Sequence, residues 1–237
     1  MNTQKKNVLI TGGSKGIGRS IVDEFLQKNY NVYSISRSNP NVNHINFHPI
    51  IGDLLDSLFV QDLSKKIEDL KIDILVNNAG FNIVNDFHEI SDFEKNQILN
   101  LNLYIPITLC QIVLRNMVCQ NYGRIINISS IWGTVSRSKR VMYSVSKSGL
   151  NGLSKSIAVE YGNKNILSNS VSPGFTQTEL TKNTNTPKEI EEISDKIPLK
   201  RLAYPNEIAK AVEFLASENN TYITGQNIVI DGGFTSI

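Results

Sequence analysis

Two side chains one helical turn apart suggest acid/base chemistry on a substrate oxygen. Tyr143 and Lys147 are four residues apart in a stretch with helical periodicity, so both lie on one face of the predicted helix. A phenol has a pKa near 10, and a nearby ammonium group favours its ionised form. Ser130 ends a predicted strand, where it could hydrogen-bond a substrate oxygen and hold it near Tyr143. These three residues are the primary catalytic candidates.

A glycine-rich turn predicts a phosphate-binding site. Residues 11–18 read Thr-Gly-Gly-Ser-Lys-Gly-Ile-Gly and separate the first predicted strand from the first helix. Glycine lets the backbone approach a pyrophosphate closely, and a helix N-terminus directs N–H groups and a positive dipole toward that charge. No Gly-Lys-Ser/Thr sequence closes the turn, which argues against a nucleotide triphosphatase. The candidate contacts of a dinucleotide in this turn are Gly12, Ser14, Lys15, Gly16, Ile17 and Gly18.

The charges near this turn favour NADP(H) over NAD(H). In dinucleotide-binding folds an acidic residue at the end of the second strand binds the ribose 2′-hydroxyl. Here the second predicted strand is followed by Arg37, which together with Lys15 can pair with a 2′-phosphate. The adenosine side is expected to be completed by residues after the third and fourth strands, namely Asp53, Leu54, Asn78, Ala79 and Gly80. The predicted cofactor is therefore NADP(H).

Short apolar runs alternate with longer amphipathic stretches along the chain. Strands are predicted at 8–10, 31–36, 45–50, 72–76, 124–128, 166–171 and 227–230. Helices are predicted at 17–28, 55–70, 91–103, 105–120, 143–162 and 205–217. This order predicts an α/β fold of the Rossmann type, with a doubly wound, seven-stranded, mostly parallel sheet covered by helices on both faces. No linker or repeat interrupts it, so residues 1–237 are predicted to form a single domain.

One polar stretch lies outside this alternation. Residues 176–204 contain no strand signal, begin just after the sixth strand and include a short helical pattern at 189–196. Long insertions in compact α/β domains are often functional loops. We expect this stretch to be a substrate lid.

Composition excludes several classes of protein. The chain has 237 residues, with 24 Lys and Arg against 22 Asp and Glu, so a net charge of +2 argues against a nucleic-acid groove. A hydrophobic content of 40% is enough for a core. No run approaches the roughly 18 apolar residues that span a bilayer, and no signal-peptide core is evident. We expect a soluble, cytoplasmic protein with neither a nucleic-acid nor a membrane partner.

Neither the cysteines nor the histidines indicate a metal or disulfide site. Cys110 and Cys119 would lie about 13 Å apart along one helix, too far for a disulfide, and are predicted to be buried, reduced thiols. His44, His48 and His88 have no ligand-like spacing to one another or to the cysteines. No metal is expected.

Several motifs together resemble the short-chain dehydrogenase/reductase family over essentially the whole chain. They are Thr11-Gly12-x-x-x-Gly16-x-Gly18, Asn77-Asn78-Ala79-Gly80, Ser130, Tyr143-x-x-x-Lys147 and Pro173-Gly174. Residues 123–130 and the Asp231-Gly232-Gly233 segment are most similar to bacterial 3-oxoacyl-[acyl-carrier-protein] reductases. The resemblance implies NADPH-dependent reduction of a carbonyl group, or the reverse oxidation, and a homotetramer.

The same resemblance implies roles for individual residues. Tyr143 would be the acid/base, and Lys147 would also bind the nicotinamide ribose. Asn102 would hold a water molecule that links Lys147 to solvent as a proton relay. The segment after the sixth strand would bind the nicotinamide carboxamide, through the residues Pro173, Gly174, Thr176 and Thr178.

The substrate is less well defined than the reaction. Arg137, Lys139 and Arg140 precede Tyr143 and could attract an anionic substrate or the phosphopantetheine arm of an acyl carrier protein. Arg124 and Lys164 resemble carrier-docking cations of the reductase subgroup. The resemblance favours reduction of a 3-oxoacyl thioester to its 3-hydroxyacyl form, and an acyl carrier protein is a candidate partner.

Two alternatives remain open. Trp132 and the basic residues near it depart from the subgroup's pattern, so a sugar, a polyol, a cyclic ketone or an intermediate of a specialised pathway is an alternative substrate. A non-catalytic NADP(H)-sensing protein could share the fold. Such a protein would be expected to have lost Tyr143 or Lys147, and both are present.

Overall fold

A seven-stranded parallel sheet forms the centre of the protein. The structure is a computed structural model, and it describes residues 5–179, 181 and 186–236. The strands are β1 (Asn7–Thr11), β2 (Asn31–Ser36), β3 (Phe47–Ile51), β4 (Ile74–Asn77), β5 (Gly123–Ile128), β6 (Ile166–Pro173) and β7 (Asn227–Ile230). Their order across the sheet is β3-β2-β1-β4-β5-β6-β7, and every neighbouring pair is parallel. The predicted seven strands and doubly wound architecture are confirmed.

Helices connect the strands and cover both faces of the sheet. The described α-helices are α1 (Gly16–Gln27), α2 (Ser57–Leu70), α3 (Asp92–Leu99), α4 (Ile105–Gln120), α5 (Val141–Tyr161), α6 (Pro187–Asp195) and α7 (Pro205–Ala216). A π-helical turn, Asn100–Tyr104, joins α3 to α4. Local sequence explains several helix starts. Ser91 and Thr186 form capping boxes with Glu residues three positions later, and Pro205 occupies the first turn of α7.

The core has two layers because side chains alternate along each buried strand. In β1, Val8 and Ile10 face the layer that contains α1 and α7, with Phe25 among its members. Leu9, between them, faces the layer built from α2, α4 and α5, where Leu109 packs. Burial on both faces explains why the central strands are continuous apolar runs.

The carboxyl ends of all seven strands lie at one edge of the sheet. The order reverses between β1 and β4, since β1 leads outward to β2 while β4 begins the other half. In open α/β sheets, ligands bind outside the carboxyl ends of the strands at such a reversal. The residues that follow β1, β4, β5 and β6 therefore come together there.

Some sequence-based predictions were wrong about burial. Cys119 is exposed, although Cys110 is buried as expected. Ile45 was predicted to begin the third strand but is 89% exposed, and β3 begins only at Phe47. Apolar identity alone does not distinguish a side chain of the core from one that flanks it.

One helical stretch passes a simple test of length and composition for a membrane span. Among the described residues this is the continuous helix Asp92–Gln120, and half of its most apolar window is buried within the protein. Leu109 and Met117 of that helix pack in the core against the sheet. Core packing therefore accounts for its apolar character.

Candidate active site

The turn between β1 and α1 has backbone geometry that only glycine adopts easily. Gly12 and Gly16 have φ values of 72° and 57°, in the left-handed region. A Cβ on Gly18 would lie 2.1 Å from the carbonyl oxygen of Gly12, so the helix packs directly on the turn. No side chain caps the N-terminus of α1, and its first turn has no acidic residue. The turn is therefore suited to receive an anion such as a pyrophosphate.

Hydrogen bonds fasten the segment after β4 to this turn. The Thr11 hydroxyl accepts hydrogen bonds from the backbone N–H groups of Asn78, at 3.0 Å, and Ala79, at 2.9 Å. The Asn78 side chain donates to the carbonyl oxygens of Thr11, at 2.9 Å, and Gly12, at 3.1 Å. In the sequence Thr11 was only one position of the glycine-rich motif, so its hydrogen bonds to the segment after β4 were not predicted.

A cavity of about 530 Å³ opens beside the turn, over the ends of β1 to β4. Thirteen of the predicted cofactor residues line it, namely Gly12, Ser14, Lys15, Gly16, Ile17, Gly18, Arg37, Asp53, Leu54, Asn78, Ala79, Gly80 and Thr178. The sequence analysis missed the apolar lining residues Ile35, Leu55, Phe81 and Leu101. No motif marks them, because they reach the cavity only through the packing of neighbouring segments.

Charged groups lie at the end of this cavity where β2 and β3 finish. Lys15 and Arg37 are exposed, and neither forms an ion pair among the described residues. One carboxylate oxygen of Asp53 accepts a hydrogen bond from the backbone N–H of Leu55 at 3.0 Å. The two cations are thus free to meet an anionic group of a ligand.

The candidate acid/base residues do not line the cavity but adjoin it, since a Cβ on the lining residue Gly80 would lie 3.5 Å from Lys147 Nζ. Ser130 follows β5, and its side chain lies close enough to the Tyr143 hydroxyl to lower the pKa of that group. Burial raises the pKa of Tyr143 overall, while the Ser130 side chain and the charge of Arg140 oppose the increase. The sequence predicted that Lys147 lowers the pKa of Tyr143. The structure shows contributions from burial, Ser130 and Arg140 instead.

Lys147 is a buried cation on the face of α5 that carries Tyr143. It is 4% exposed, its Nζ donates to the Ile128 carbonyl oxygen at 2.7 Å, and the same atom lies 5.6 Å from the centroid of the Tyr143 ring. Burial lowers the pKa of Lys147 to about 8. A group that titrates so near neutrality can change its charge in the range where enzymes work.

Asn102 connects two segments of the site. It lies in the π-helical turn and is fully buried. Its Oδ1 accepts from the Phe81 backbone N–H at 3.0 Å, and its Nδ2 donates to the Phe81 carbonyl oxygen at 2.9 Å and to the Ser146 hydroxyl at 3.2 Å. Ser146 in turn donates to the carbonyl oxygen of Tyr143 at 2.8 Å. Asn102 therefore links the segment after β4 to α5.

The segment after β6 begins the predicted lid. Thr176 forms a parallel bridge with Ala203, which closes the base of the stretch 176–204. The carbonyl oxygen of Thr176 accepts from the Thr178 N–H at 2.9 Å and from the Thr181 hydroxyl at 2.7 Å. Residues 180 and 182–185 of the predicted lid lie outside the described residues.

The predicted substrate-attracting cations have different surroundings. Lys139 forms an ion pair with Asp86 at 3.0 Å, whereas Arg137 is exposed and has no such partner among the described residues. Lys164 is exposed, as a docking residue must be. Arg124 is 3% exposed, and its guanidinium donates to backbone carbonyl oxygens, so its predicted role in carrier docking is wrong.

The fold and the site define a class of protein. A glycine turn at a helix N-terminus, a cavity of about 530 Å³ beside it and a neighbouring Ser-Tyr-Lys group are the parts of a nicotinamide-dependent oxidoreductase. Among the described residues, no cluster of three or more His, Cys, Asp or Glu side chains could hold a metal ion.

Comparison with known proteins identifies the family. A protein-family model described as enoyl-(acyl carrier protein) reductase matches residues 12–235. The chain is 39% identical to 3-oxoacyl-[acyl-carrier-protein] reductase FabG of Buchnera aphidicola subsp. Schizaphis graminum and 35% identical to that of Escherichia coli, with 98% of each chain covered in both cases. The chain therefore belongs to the short-chain dehydrogenase/reductase family, as its motifs indicated.

Solved structures agree with this assignment. ElxO with NADP bound has a TM-score of 0.91 and 33% identity, covering 99% of this chain and all of the other. A 4-hydroxyisoleucine dehydrogenase complexed with NADH has a TM-score of 0.93 and 31% identity, covering 98% of this chain and all of the other. Both are dinucleotide complexes, which is consistent with a dinucleotide site at the glycine turn.

The close packing at Gly18 leads to a test of the proposed phosphate-binding turn. Because a Cβ at this position would meet backbone, Gly18→Ala is expected to raise the dissociation constant for NADPH at least about tenfold. Gly152→Ala is the matched control, since a Cβ there meets nothing within 4 Å. Fluorescence titration with NADPH measures both. An unchanged NADPH affinity in Gly18→Ala would contradict the proposal that the turn binds the pyrophosphate.

Proposed function

We propose that this chain reduces the 3-oxo group of an acyl thioester to a hydroxyl group, with NADPH as the reductant. The observation that carries the proposal is the group formed by Ser130, Tyr143 and the buried Lys147, next to the cavity that adjoins the glycine turn. The named activity of the curated relatives supports the thioester as substrate. Bound NADPH would supply a hydride to the carbonyl carbon of the substrate.

Tyr143 and Ser130 would act on the substrate oxygen. The raised pKa of Tyr143 keeps its hydroxyl protonated at neutral pH, so it can donate that proton to the oxygen as the carbonyl is reduced. The Ser130 hydroxyl would donate a second hydrogen bond to the same oxygen and hold it in place. In the reverse reaction, the Tyr143 phenolate would accept the proton.

Lys147 and Asn102 would support the loss and return of that proton. The Lys147 ammonium would stabilise the phenolate formed when Tyr143 gives up its proton. A Cβ on Gly80 would lie 2.9 Å from Asn102 Oδ1 and 3.5 Å from Lys147 Nζ, so both side chains border the same backbone. This proximity supports the proposal that Asn102 holds a water molecule in a relay from solvent to Lys147.

The cofactor contacts would be divided between two ends of the cavity. The free cations Lys15 and Arg37 would pair with the 2′-phosphate and favour NADP(H), while Asp53 and Leu54 would adjoin the adenine. At the nicotinamide end, the contacts would come from the segment after β6, through Pro173, Gly174, Thr176 and Thr178. Lys147 and Tyr143 would lie beside the nicotinamide ribose.

The organisation of the active enzyme follows from the same proposal. Residues 1–237 would act as one domain, with 176–204 as a lid over bound substrate. An acyl carrier protein would deliver the thioester in the cytoplasm. The exposed apolar side chains Val145 and Val159 on α5, 51% and 89% exposed, support contact between copies in a homotetramer.

Tyr143→Phe tests the acid/base role. Loss of the hydroxyl is expected to lower kcat for reduction of acetoacetyl thioester by about 10³-fold, while the dissociation constant for NADPH stays within about twofold. Tyr104→Phe, at a tyrosine that is 55% exposed, is the control and should leave both unchanged. Near-normal turnover in Tyr143→Phe would exclude this residue as the acid.

Arg37→Asp tests cofactor preference. Wild-type enzyme should have a kcat/KM for NADPH at least about tenfold above that for NADH, because its cations face the 2′-phosphate. The aspartate should repel that phosphate and reverse the ratio. Arg115→Asp removes a surface arginine paired with Glu68 and should keep the wild-type ratio. Equal kcat/KM values for NADPH and NADH in the wild-type enzyme would refute the proposed pairing of Lys15 and Arg37 with the 2′-phosphate.

The rate of reduction should depend on the protonation of Lys147. The group is charged below its pKa of about 8 and neutral above it, so kcat for reduction is expected to fall as pH rises through about 8. Initial rates at saturating NADPH and thioester measure the profile. Residual activity of Lys147→Arg should show this decline at higher pH, since arginine remains charged. If kcat of Lys147→Arg still fell near pH 8, the decline would be due to a group other than Lys147.

A further inference from the structure

A second cavity of about 500 Å³ is lined by residues that follow β5, β6 and β7, and none of its described lining residues also lines the cavity beside the glycine turn. We call it the aromatic cavity, because its apolar wall includes Trp132, Phe175 and Phe234 as well as Val135 and Ile193. The backbone N–H of Trp132 donates to the Ser130 hydroxyl at 3.2 Å. The wall therefore begins next to the residues that would hold the reacting oxygen.

The aromatic wall is built from three distant segments packed edge to face. Ring centroids are 6.1 Å apart for Trp132 with Phe175, 6.1 Å for Trp132 with Phe234 and 5.4 Å for Phe175 with Phe234. Asp231 holds the turn that carries Phe234. Its two carboxylate oxygens accept from the Gly233 N–H and from the N–H and hydroxyl of Thr235, at 2.7–2.9 Å. Such packing gives a preformed surface for a ligand.

The same cavity is positively charged. Arg137 and Lys196 line it, no carboxylate is among its lining residues, and neither cation forms an ion pair among the described residues. The Arg137 guanidinium lies 6.0 Å from the centroid of the Trp132 ring, within the range of a cation–π contact. Burial lowers the pKa of Arg140, and the positive charge of Arg137 lowers it further. Arg137 and Lys196 therefore remain available to an anionic ligand.

These features select for a ligand with a partly apolar chain and an anionic end. The Ser136 and Thr235 side chains add hydroxyl groups to the lining, which could meet amide groups along such a chain. A simple acyl chain fits the apolar wall but has no group for the two cations. The arm that carries a thioester in acyl carrier proteins has apolar and amide parts and ends in a phosphate, so it matches both features.

We propose that the aromatic cavity binds the 4′-phosphopantetheine arm of the substrate, with Arg137 and Lys196 as specificity-determining residues that pair with its phosphate. This inference rests on the proposed thioester reductase function. Arginine and lysine bind phosphate by charge-assisted hydrogen bonds, and the ring of Trp132 would remain available to the apolar part of the arm.

Two substrates that differ only in the phosphate test the proposal. They are acetoacetyl-4′-phosphopantetheine and acetoacetyl-pantetheine, each reduced with NADPH by the full-length enzyme. Wild type should have a kcat/KM at least about tenfold higher for the phosphorylated substrate, through a lower KM. Arg137→Gln and Lys196→Gln should each remove most of this preference, because they lower kcat/KM for the phosphorylated substrate far more than for acetoacetyl-pantetheine. A third substrate, acetoacetyl-acyl carrier protein, reports any added contribution from the carrier surface.

Lys139→Asn is the matched control. Lys139 lies in the same segment as Arg137 but is paired with Asp86 and does not line the cavity, and asparagine tolerates its φ of 64°. This variant should keep the wild-type preference for the phosphorylated substrate. Melting temperature and NADPH affinity, measured for every variant, should remain at the wild-type values.

The outcomes separate this inference from the function on which it rests. Equal kcat/KM for the two substrates in wild type would overturn the inference and leave the reductase function standing. Equal losses on both substrates in Arg137→Gln and Lys196→Gln would assign these residues a structural role and also overturn it. Failure of wild type to reduce any of the thioesters would instead refute the proposed function, and the inference with it.

Discussion

The burial of the Lys147 ammonium constrains the arrangement of the whole site. Removing a charge from water is unfavourable, and the lowered pKa of Lys147, about 8, reflects that cost. Its Nζ reaches the Ile128 carbonyl oxygen at the end of β5, and the Ser129 hydroxyl donates to the Lys147 carbonyl oxygen at 2.9 Å. These bonds fix α5 against β5. The orientation of α5 then sets where Tyr143 meets Ser130.

The parallel sheet brings two cavities to the edge where this buried charge lies. Segments after β1 to β4 form the cavity with the glycine turn, and segments after β5 to β7 form the aromatic cavity. The first cavity is lined by the cations Lys15 and Arg37, and the second by the cations Arg137 and Lys196, all unpaired among the described residues. Both cavities lie at the same edge of the sheet, because all strands end there.

Much of the fold and site could be predicted because their signals are local or periodic. Alternating apolar runs identified all seven strands, and the glycine spacing located the turn at Gly12 to Gly18. Tyr143 and Lys147 share a helix, so their proximity follows from helical geometry. Burial was predicted less well. Arg124 and Cys119 were misjudged because their exposure depends on which distant segments cover them.

The sequence by itself determined the order of strands and helices, the phosphate-binding turn and the catalytic residue types, since each is encoded within a few neighbouring residues. Only the tertiary structure decided the surroundings of those groups. It raised the Tyr143 pKa by burial, neutralised Lys139 with Asp86 and left Arg137 free beside Trp132, Phe175 and Phe234. Desolvation and charge pairing depend on contacts between segments far apart in the chain, which local spacing does not specify.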